Sequence, residues 1–323
     1  MTWLVTGGAG YIGSHVVRAF AAAEMPVVAF DDLSSGRETF VPDGVPLVRG
    51  TILDAELLGR AVAEHDVVGV VHTAGFKYAG VSVQRPLHTY EQNVEGTRRL
   101  LAVLDDHGVA NLVFSSSAAV YGTPDVELVT EDTPKAPTSP YGESKLVAEW
   151  LLADLARVST LRHTSLRYFN VVGSAHDDVF DASPHNLVPM VLEAVTDGRT
   201  PQVFGDDYDT PDGTCVRDYV HVGDLASTHV AAARALADGQ DLRAAYNLGS
   251  GEGMSVAEIM AAIRRVSGVD FQPEIRPRRP GDPDRIVAGG EAAARDLGWS
   301  MSYTVEQMMA SAWRAWQVAL AAG

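Results

Sequence analysis

Trp3-Leu4-Val5-Thr6 is a short apolar run that stops at Gly7-Gly8-Ala9-Gly10-Tyr11-Ile12-Gly13, after which Ser14 to Phe20 reads as helix. A strand, a tight glycine turn and a helix N-terminus in direct succession constrain a chain strongly. Bare backbone amides and the helix dipole then converge on one point that suits a phosphate. The glycines follow Gly7-x-x-Gly10-x-x-Gly13, which differs from the G-x-G-x-x-G spacing of dehydrogenases. A second strand, Pro26 to Phe30, ends in Asp31-Asp32, with Asp31 placed 18 residues after Gly13. An acid at that distance accepts hydrogen bonds from a ribose diol and repels a 2′-phosphate, which favours NAD over NADP. The other reading of Asp31 or Asp32 is a plain helix cap.

A third strand, Pro46 to Arg49, leads into a helical pattern from Asp54 to Glu64. A fourth, Val67 to His72, is almost continuously apolar, as a strand covered on both faces should be. It stops at Thr73-Ala74-Gly75, small residues across which a ligand can lie. Lys77 follows, either a ligand contact or a solvated loop lysine, and His72 is read as a packed strand-end histidine. A long helix carrying Asn93 is expected from Pro86 to Asp106, then a buried strand from Asn111 into Ser115-Ser116-Ser117. By the two-residue strand period, Ser115 and Ser117 point to one side and Ser116 to the other. Pro124 to Pro140 reads as a surface excursion, and Thr164 to Phe169 as a sixth strand ending at Asn170. Alternating strands and helices of this kind predict an α/β fold, a Rossmann-like doubly wound parallel sheet.

Beyond Asn170 the pattern changes. Ser174 to His185 reads as loop, Asn186 and Leu187 begin a helix, and short strands at Val203 to Gly205 and Cys215 to Val220 flank an acidic, turn-rich insert. Asp224 is expected to cap an alanine-rich helix, Ala244 to Leu248 to rejoin the first sheet, and Ser255 to cap a helix to Val266. Arg276-Pro277-Arg278-Arg279-Pro280-Gly281-Asp282-Pro283 concentrates three arginines, which suits an anionic diphosphate, a solvated loop being the other reading. The expected division is a cofactor-binding domain of residues 1–170 plus about 219–250, and a smaller C-terminal substrate-binding lobe of about 171–218 plus 251–323.

Ser139-Pro140-Tyr141-Gly142-Glu143-Ser144-Lys145 carries the chemistry. Ser139 can cap a helix with Pro140 at its first position, and Leu146, Trp150, Leu151, Leu155 and Val158 continue at helical spacing. Tyr141 and Lys145 then share one face, where an ammonium beside a phenol lowers the phenol pKa toward neutrality and makes it a general base. Only three of 25 basic residues are lysine (Lys77, Lys135, Lys145). With so few, chance gives a Tyr-x-x-x-Lys roughly 0.1 times in this chain. A hydroxyl from the serine strand end can donate to the oxygen that Tyr141 deprotonates.

A net charge of -17 repels nucleic acid and anionic lipid alike, so neither is an expected partner, and an anionic substrate requires local arginines. The single cysteine, Cys215, excludes an internal disulfide. With no signal-like start and no membrane-length apolar run, a soluble cytoplasmic protein is expected. The outer faces of the 86–106 and Tyr141 helices are expected to pair two subunits as a homodimer.

Together these residues resemble the extended short-chain dehydrogenase/reductase superfamily and, within it, the UDP-galactose 4-epimerase family. The resemblance runs through Thr6 to Gly13, Asp31 to Ser34, His72 to Lys77, Asn93 to Thr97, Ser115 to Gly122, Pro140 to Lys145, Leu166 to Asn170, Asp212 to Asp224 and Arg279 to Asp282. It implies a tightly held NAD that takes hydride from C4 of a UDP-hexose and returns it to the opposite face, with no metal. It implies Tyr141 as base, Ser117 in its proton path, and Lys145 on the nicotinamide ribose. Further cofactor contacts are implied for Gly7, Gly10, Tyr11, Ile12, Gly13, Asp31, Asp32 and Ile52. Thr73, Ala74, Gly75, Lys77, Asn93, Ser115 and Tyr168 complete that set. The sugar nucleotide is implied against Lys77, Asn170, Asn186, Leu187 and Phe204, with Arg217 and Arg279 on the diphosphate and Asp282 on the ribose. Three positions depart: Thr51 stands where the family usually has an Asp near the adenine, Val171 replaces a proline, and Ile286 is intermediate in size at the position gating the sugar pocket. Other nucleotide sugars, N-acetylated ones included, therefore stay open as substrates. Dehydratases of the superfamily need an Asp-Glu pair beside the strand-end hydroxyl, and here Ser117 is followed by Ala118 and Ala119.

Overall fold

The computed structural model describes residues 1–279 and 282–322; Pro280 and Gly281, inside the arginine and proline cluster, lie outside the described residues. The first half alternates β1 (Thr2–Thr6), α1 (Tyr11–Ala22), β2 (Val27–Asp31), β3 (Leu47–Arg49), α2 (Ala55–Glu64) and β4 (Val67–His72). Short helices α3 (Ala79–Ser82) and α4 (Pro86–Tyr90) then lead through a π turn at Glu91–Glu95 into α5 (Gly96–Asp106), β5 (Asn111–Ser117), α6 (Pro140–Ala156) and β6 (Arg162–Tyr168). After β7 (Asn170–Val172), α7 (Leu187–Thr196), β8 (Gln202–Phe204), β9 (Val216–Arg217) and β10 (Tyr219–His221), the chain forms α8 (Val222–Ala237) and β11 (Ala245–Leu248). It closes with β12 (Met254–Ser255), α9 (Val256–Ser267), β13 (Glu274–Arg276), β14 (Arg285–Ile286), α10 (Glu291–Leu297) and α11 (Val305–Ala322).

The main sheet has seven strands in the order β11-β6-β5-β4-β1-β2-β3, every pair parallel. The strand alternation explains how both faces are covered. In β1, Trp3 and Val5 pack with Val16, Phe20, Leu225 and Ala233 of α1 and α8, whereas Leu4 packs with Leu58, Leu100 and Leu152 of α2, α5 and α6. Order reverses at β1, so the ends of β1 and β4 flank the crevice in which open α/β sheets bind ligands. The short strands pair separately, β7 with β10, β9 with β12 and β14, and β8 with β13, around a third apolar cluster from α7, α9 and α11.

Three expectations are corrected here. The helix from Pro86 to Asp106 is interrupted by the π turn, whose extra residue re-aims Asn93 inward, where it is buried. The cap of α8 is His221, whose ring accepts from the Gly223 amide; Asp224 sits in the first turn and accepts from the Ser302 amide instead. Trp150 and Val158 are 58% and 84% exposed, because Lys145, Ala148, Glu149 and Leu152 form the buried face of α6. The stretch from Pro124 to Pro140 is a surface excursion as expected, mostly exposed and pinned where the buried Val129 bridges to Ala288.

Candidate active site

The ends of β1, β2, β4, β5 and β6 open into one cavity of about 940 Å³, whose opposite wall comes from α7, β8, β9 and the segment around Asp282. At the β1 end, Gly7 has φ of +71°, and a Cβ there would lie 2.7 Å from Thr73 Oγ1. A Cβ on Gly13 would lie 1.9 Å from the Gly7 carbonyl oxygen, so α1 seats directly on the turn. No side chain caps α1, leaving its first amides directed at the cavity. Asp31 lines the cavity and caps no helix; its carboxylate accepts from the loop amides of Ala9 (3.0 Å) and Leu33 (2.8 Å). Burial raises its pKa and those amide bonds oppose the rise. Asp32 accepts from the Ser34 amide at 2.9 Å, and Ile12, Thr51 and Ile52 complete this end. Tyr11 also lines it while its hydroxyl donates to the Gly173 carbonyl at 2.6 Å; burial holds that phenol well above its ordinary pKa.

At the centre, Ser139 caps α6 by accepting from the Gly142 amide, with Pro140 at the first position. Tyr141 and Lys145 therefore lie one turn apart on the cavity wall, with Ser117 and Tyr168 from β5 and β6. Ser117 Oγ accepts from the Ala119 amide at 3.2 Å, which leaves its proton to donate. Lys145 is 6% exposed and donates to the Ser115 carbonyl at 2.9 Å; its Nζ stands 4.8 Å from the Phe114 ring and 5.9 Å from the Tyr141 ring. Burial lowers the lysine pKa to about 8, against the pull of Glu149. The electrostatic expectation for Tyr141 is reversed in the protein alone. Burial raises the phenol pKa, the Ser117 hydroxyl is what pulls it down, and the ammonium is aimed at a carbonyl rather than at the phenol oxygen. Tyr168 is raised further by burial and by its neighbour Tyr141.

Thr73, Ala74, Gly75 and the exposed Lys77 line the cavity beside this centre. Two candidates do not reach it. Asn93 is buried behind that loop, accepting from the Phe76 amide (2.6 Å) and donating to the Phe76 carbonyl and Ser144 Oγ. The Ser115 hydroxyl turns to His229 Nε2 on α8, and only its carbonyl serves Lys145.

The far wall carries Asn170, Asn186, Leu187, Phe204, Arg217, Arg279, Asp282 and Ile286. Arg279 stacks 4.1 Å over the Phe204 ring, and Arg217 donates to Asp282 at 3.0 Å. The three-arginine cluster splits, a correction to the sequence reading. Arg276 pairs with Glu274, and Arg278 pairs with Asp207 and stacks over Tyr208; neither lines the cavity. Tyr78 and His185 were not found from the sequence: their rings meet edge-to-face at 4.8 Å on the wall, joining two loops with no local signal for pairing. Among the described residues no cluster of His, Cys, Asp or Glu could hold a metal, and no helix is long and apolar enough to cross a membrane.

A family model described as NAD dependent epimerase/dehydratase matches residues 3–249. The chain belongs to that family. Among members of the epimerase/dehydratase family it is 45% identical over 300 residues to the UDP-glucose 4-epimerase of Azospirillum brasilense, covering 92% of this chain and 86% of that one. The crystal structure of UDP-glucose 4-epimerase from Brucella ovis in complex with NAD superposes with a TM-score of 0.93 at 38% identity, over 97% of each chain. That of Bifidobacterium longum, in complex with NAD+ and UDP, gives 0.90 at 38% identity, over 99% of this chain and 98% of that one.

Proposed function

We propose that this protein is an NAD-dependent isomerase, a UDP-glucose 4-epimerase that interconverts UDP-glucose and UDP-galactose through a transient 4-keto sugar. The observation that carries the reading is one continuous cavity with Tyr141, Ser117 and Lys145 at its centre, the glycine turn at one end and Arg217, Arg279 and Phe204 on the facing wall. The residues fit NAD. The Gly7 to Gly13 cradle admits no Cβ at Gly7 or Gly13 without a clash, α1 is uncapped toward the cavity, and Asp31 ends the adjacent strand. Gly10, Tyr11, Ile12, Ile52 and Asp32 would hold the nucleotide half, and Thr73 to Lys77, Lys145 and Tyr168 the other half. Asn93 and Ser115 support this set from behind.

NAD held there would supply the acceptor for hydride from C4 of the sugar and the donor for its return to the opposite face, with a positive ring charge that would favour phenolate. Tyr141 takes the proton of the C4 hydroxyl and later gives it back. Ser117, held by the Ala119 amide, donates toward the same oxygen and keeps the phenol oriented. Arg217 and Arg279 bind the diphosphate, Asp282 the uridine ribose, Phe204 and Leu187 the apolar edges of the nucleotide, and Asn170 and Asn186 polar groups of the substrate. Ile286 and Lys77 border the sugar.

Elimination of water is disfavoured because Ala118 and Ala119, not carboxylates, line the cavity after Ser117. The rest of this reading is a cofactor-binding domain of residues 1–170 plus about 219–250 with a substrate lobe from the remainder, a homodimer, and a cytoplasmic setting. The deciding test is proton NMR of the anomeric signals: UDP-galactose and UDP-glucose should interconvert with no NAD added. Folded, NAD-loaded protein that leaves both unchanged refutes the proposal. UDP-N-acetylglucosamine assayed in parallel reads the selectivity set at Ile286.

A further inference from the structure

Behind the cavity wall lies a charge pair that the chemistry above does not use. Glu149, 8% exposed, stands one helical turn beyond Lys145. It accepts from Ser116 Oγ (2.6 Å) and from Arg167 Nε (2.9 Å) and Nη2 (2.6 Å). Arg167 Nη1 donates to the Tyr121 hydroxyl at 2.8 Å, which donates to Asn247 Oδ1 at 2.7 Å. Register makes this arrangement specific. Ser116 pairs with Arg167 and Ser117 with Tyr168 across β5 and β6, so the residues facing Glu149 alternate with the residues facing the cavity. A buried pair held this tightly is weak evidence for stability, since matched apolar residues often serve as well or better. Its position beside the reacting groups is what calls for a role.

We propose that Glu149, clamped by Arg167 and Ser116, is a positioning residue: it holds a carboxylate one helical turn from Lys145, and it fixes the β5 and β6 ends that carry Ser117 and Tyr168 against the helix that carries Tyr141. The groups that face Lys145 are Tyr141 and Glu149 on α6, His72 on β4 and the Ser115 carbonyl on β5, with Tyr168 of β6 beside Tyr141 and Arg167 behind Glu149. His72 is held neutral by burial, with a pKa near 3, and both tyrosines are held protonated. Glu149 is therefore the charge that opposes loss of the lysine proton on burial, and Arg167 contributes through it.

The kinetic half of the test rests on the epimerase reading; the spectroscopic half does not. Glu149→Gln alone strands a buried guanidinium, so the informative variant is Glu149→Gln with Arg167→Met, in which Lys145 is the one buried charge of this group left without its carboxylate. The chain has three lysines, so 13Cε-lysine NMR resolves them, and Lys145→Arg identifies the signal by its loss. In the NAD-loaded double variant, the Lys145 midpoint should fall by about one unit, a tenfold change in proton affinity. The alkaline limb of kcat for UDP-galactose should move down with it, with KM near native. An unmoved midpoint, or a moved midpoint with native kcat at every pH, overturns the assignment. An inactive wild type refutes the epimerase reading, while the lysine midpoint still decides the charge role.

Discussion

Three glycines of one turn do three different jobs. A methyl on Gly13 meets the Gly7 carbonyl at 1.9 Å and a methyl on Gly7 meets the Thr73 hydroxyl and Ala74 amide, whereas one on Gly10 meets only the Gly7 carbonyl, at 3.2 Å. Gly13→Ala should therefore destabilise the fold itself, by about 1–3 kcal/mol or more as overpacking does, read as a lower midpoint in urea. Gly10→Ala should leave that midpoint within about 0.5 kcal/mol but displace NAD, because its methyl occupies the uncapped helix end; retained cofactor absorbance in that variant refutes the phosphate role. Tyr141→Phe tests the chemistry. Removing a positioned general base costs about 10²–10⁴-fold in turnover, and the ring stays in place, so kcat should fall by that factor with NAD still bound. Native turnover in Tyr141→Phe removes that residue from the mechanism. The spacing of these residues was legible because one helical turn and one strand period fix who shares a face. The protonation state of Tyr141 was not, because burial is a sum over elements distant in sequence.

At the scale of elements, what sequence patterning conveys is that a helix has an apolar stripe, not what the stripe meets. Leu152 is buried against the sheet and Leu146 against Val120, Tyr121 and Val129, yet Trp150 and Val158 face outward, as do Val83 and Leu87 beside α4 at 62% and 83% exposure. α4 and α5 pack against α6, so these side chains belong to one connected helical layer. Large apolar groups exposed on neighbouring helices are candidates for the association surface of the proposed homodimer. Trp150→Glu should shift the sedimentation coefficient from dimer to monomer at micromolar concentration without loss of helical circular dichroism. A native protein that sediments as a monomer refutes the dimer. The π turn and the α8 cap were illegible for a related reason. Asn93 is drawn inward by Phe76 and Ser144, and His221 is fixed by Ser311 and the Tyr303 ring, all partners remote in sequence.

For the whole molecule, the doubly wound order could be read from the chain because each parallel strand needs a covering helix before the next. For the second wall the residues alone conveyed a helix, short strands and an arginine cluster, but its individual contacts could be read only through family resemblance, since its strands are two or three residues long. Beyond the packed His72, neither conveyed that His15, His221 and His229 are buried inside as well, all four at 1% exposure or less. Each is locked as a neutral acceptor: His15 Nε2 takes the Ala175 amide, and His221 Nδ1 takes the Gly223 amide. His72 takes the Thr6 hydroxyl and His229 the Ser115 hydroxyl, their other nitrogens donating to Thr97 and to the Leu225 carbonyl. Burial lowers their pKa values to about 3 for His15 and His72 and about 4 for His221 and His229. The unfolded chain binds these protons near pH 6.5 while the folded protein does not, so the unfolded state holds more protons between those limits and stability must fall as pH falls. Buried Asp31, Asp218 and Asp224 act with the opposite sign, since their raised values let the folded state take protons first, but only as pH reaches the carboxylate range. From pH 6.5 to 5.5 each histidine costs on the order of 1 kcal/mol, about 4–5 kcal/mol together, a large part of the 5–15 kcal/mol that holds a typical protein folded. Urea denaturation at pH 7.5, 6.5 and 5.5 should show a loss of about 1–2 kcal/mol over the first step and a loss about three times larger over the second. Stability that is flat or rising from pH 6.5 to 5.5 would mean that the histidines open to solvent before they protonate.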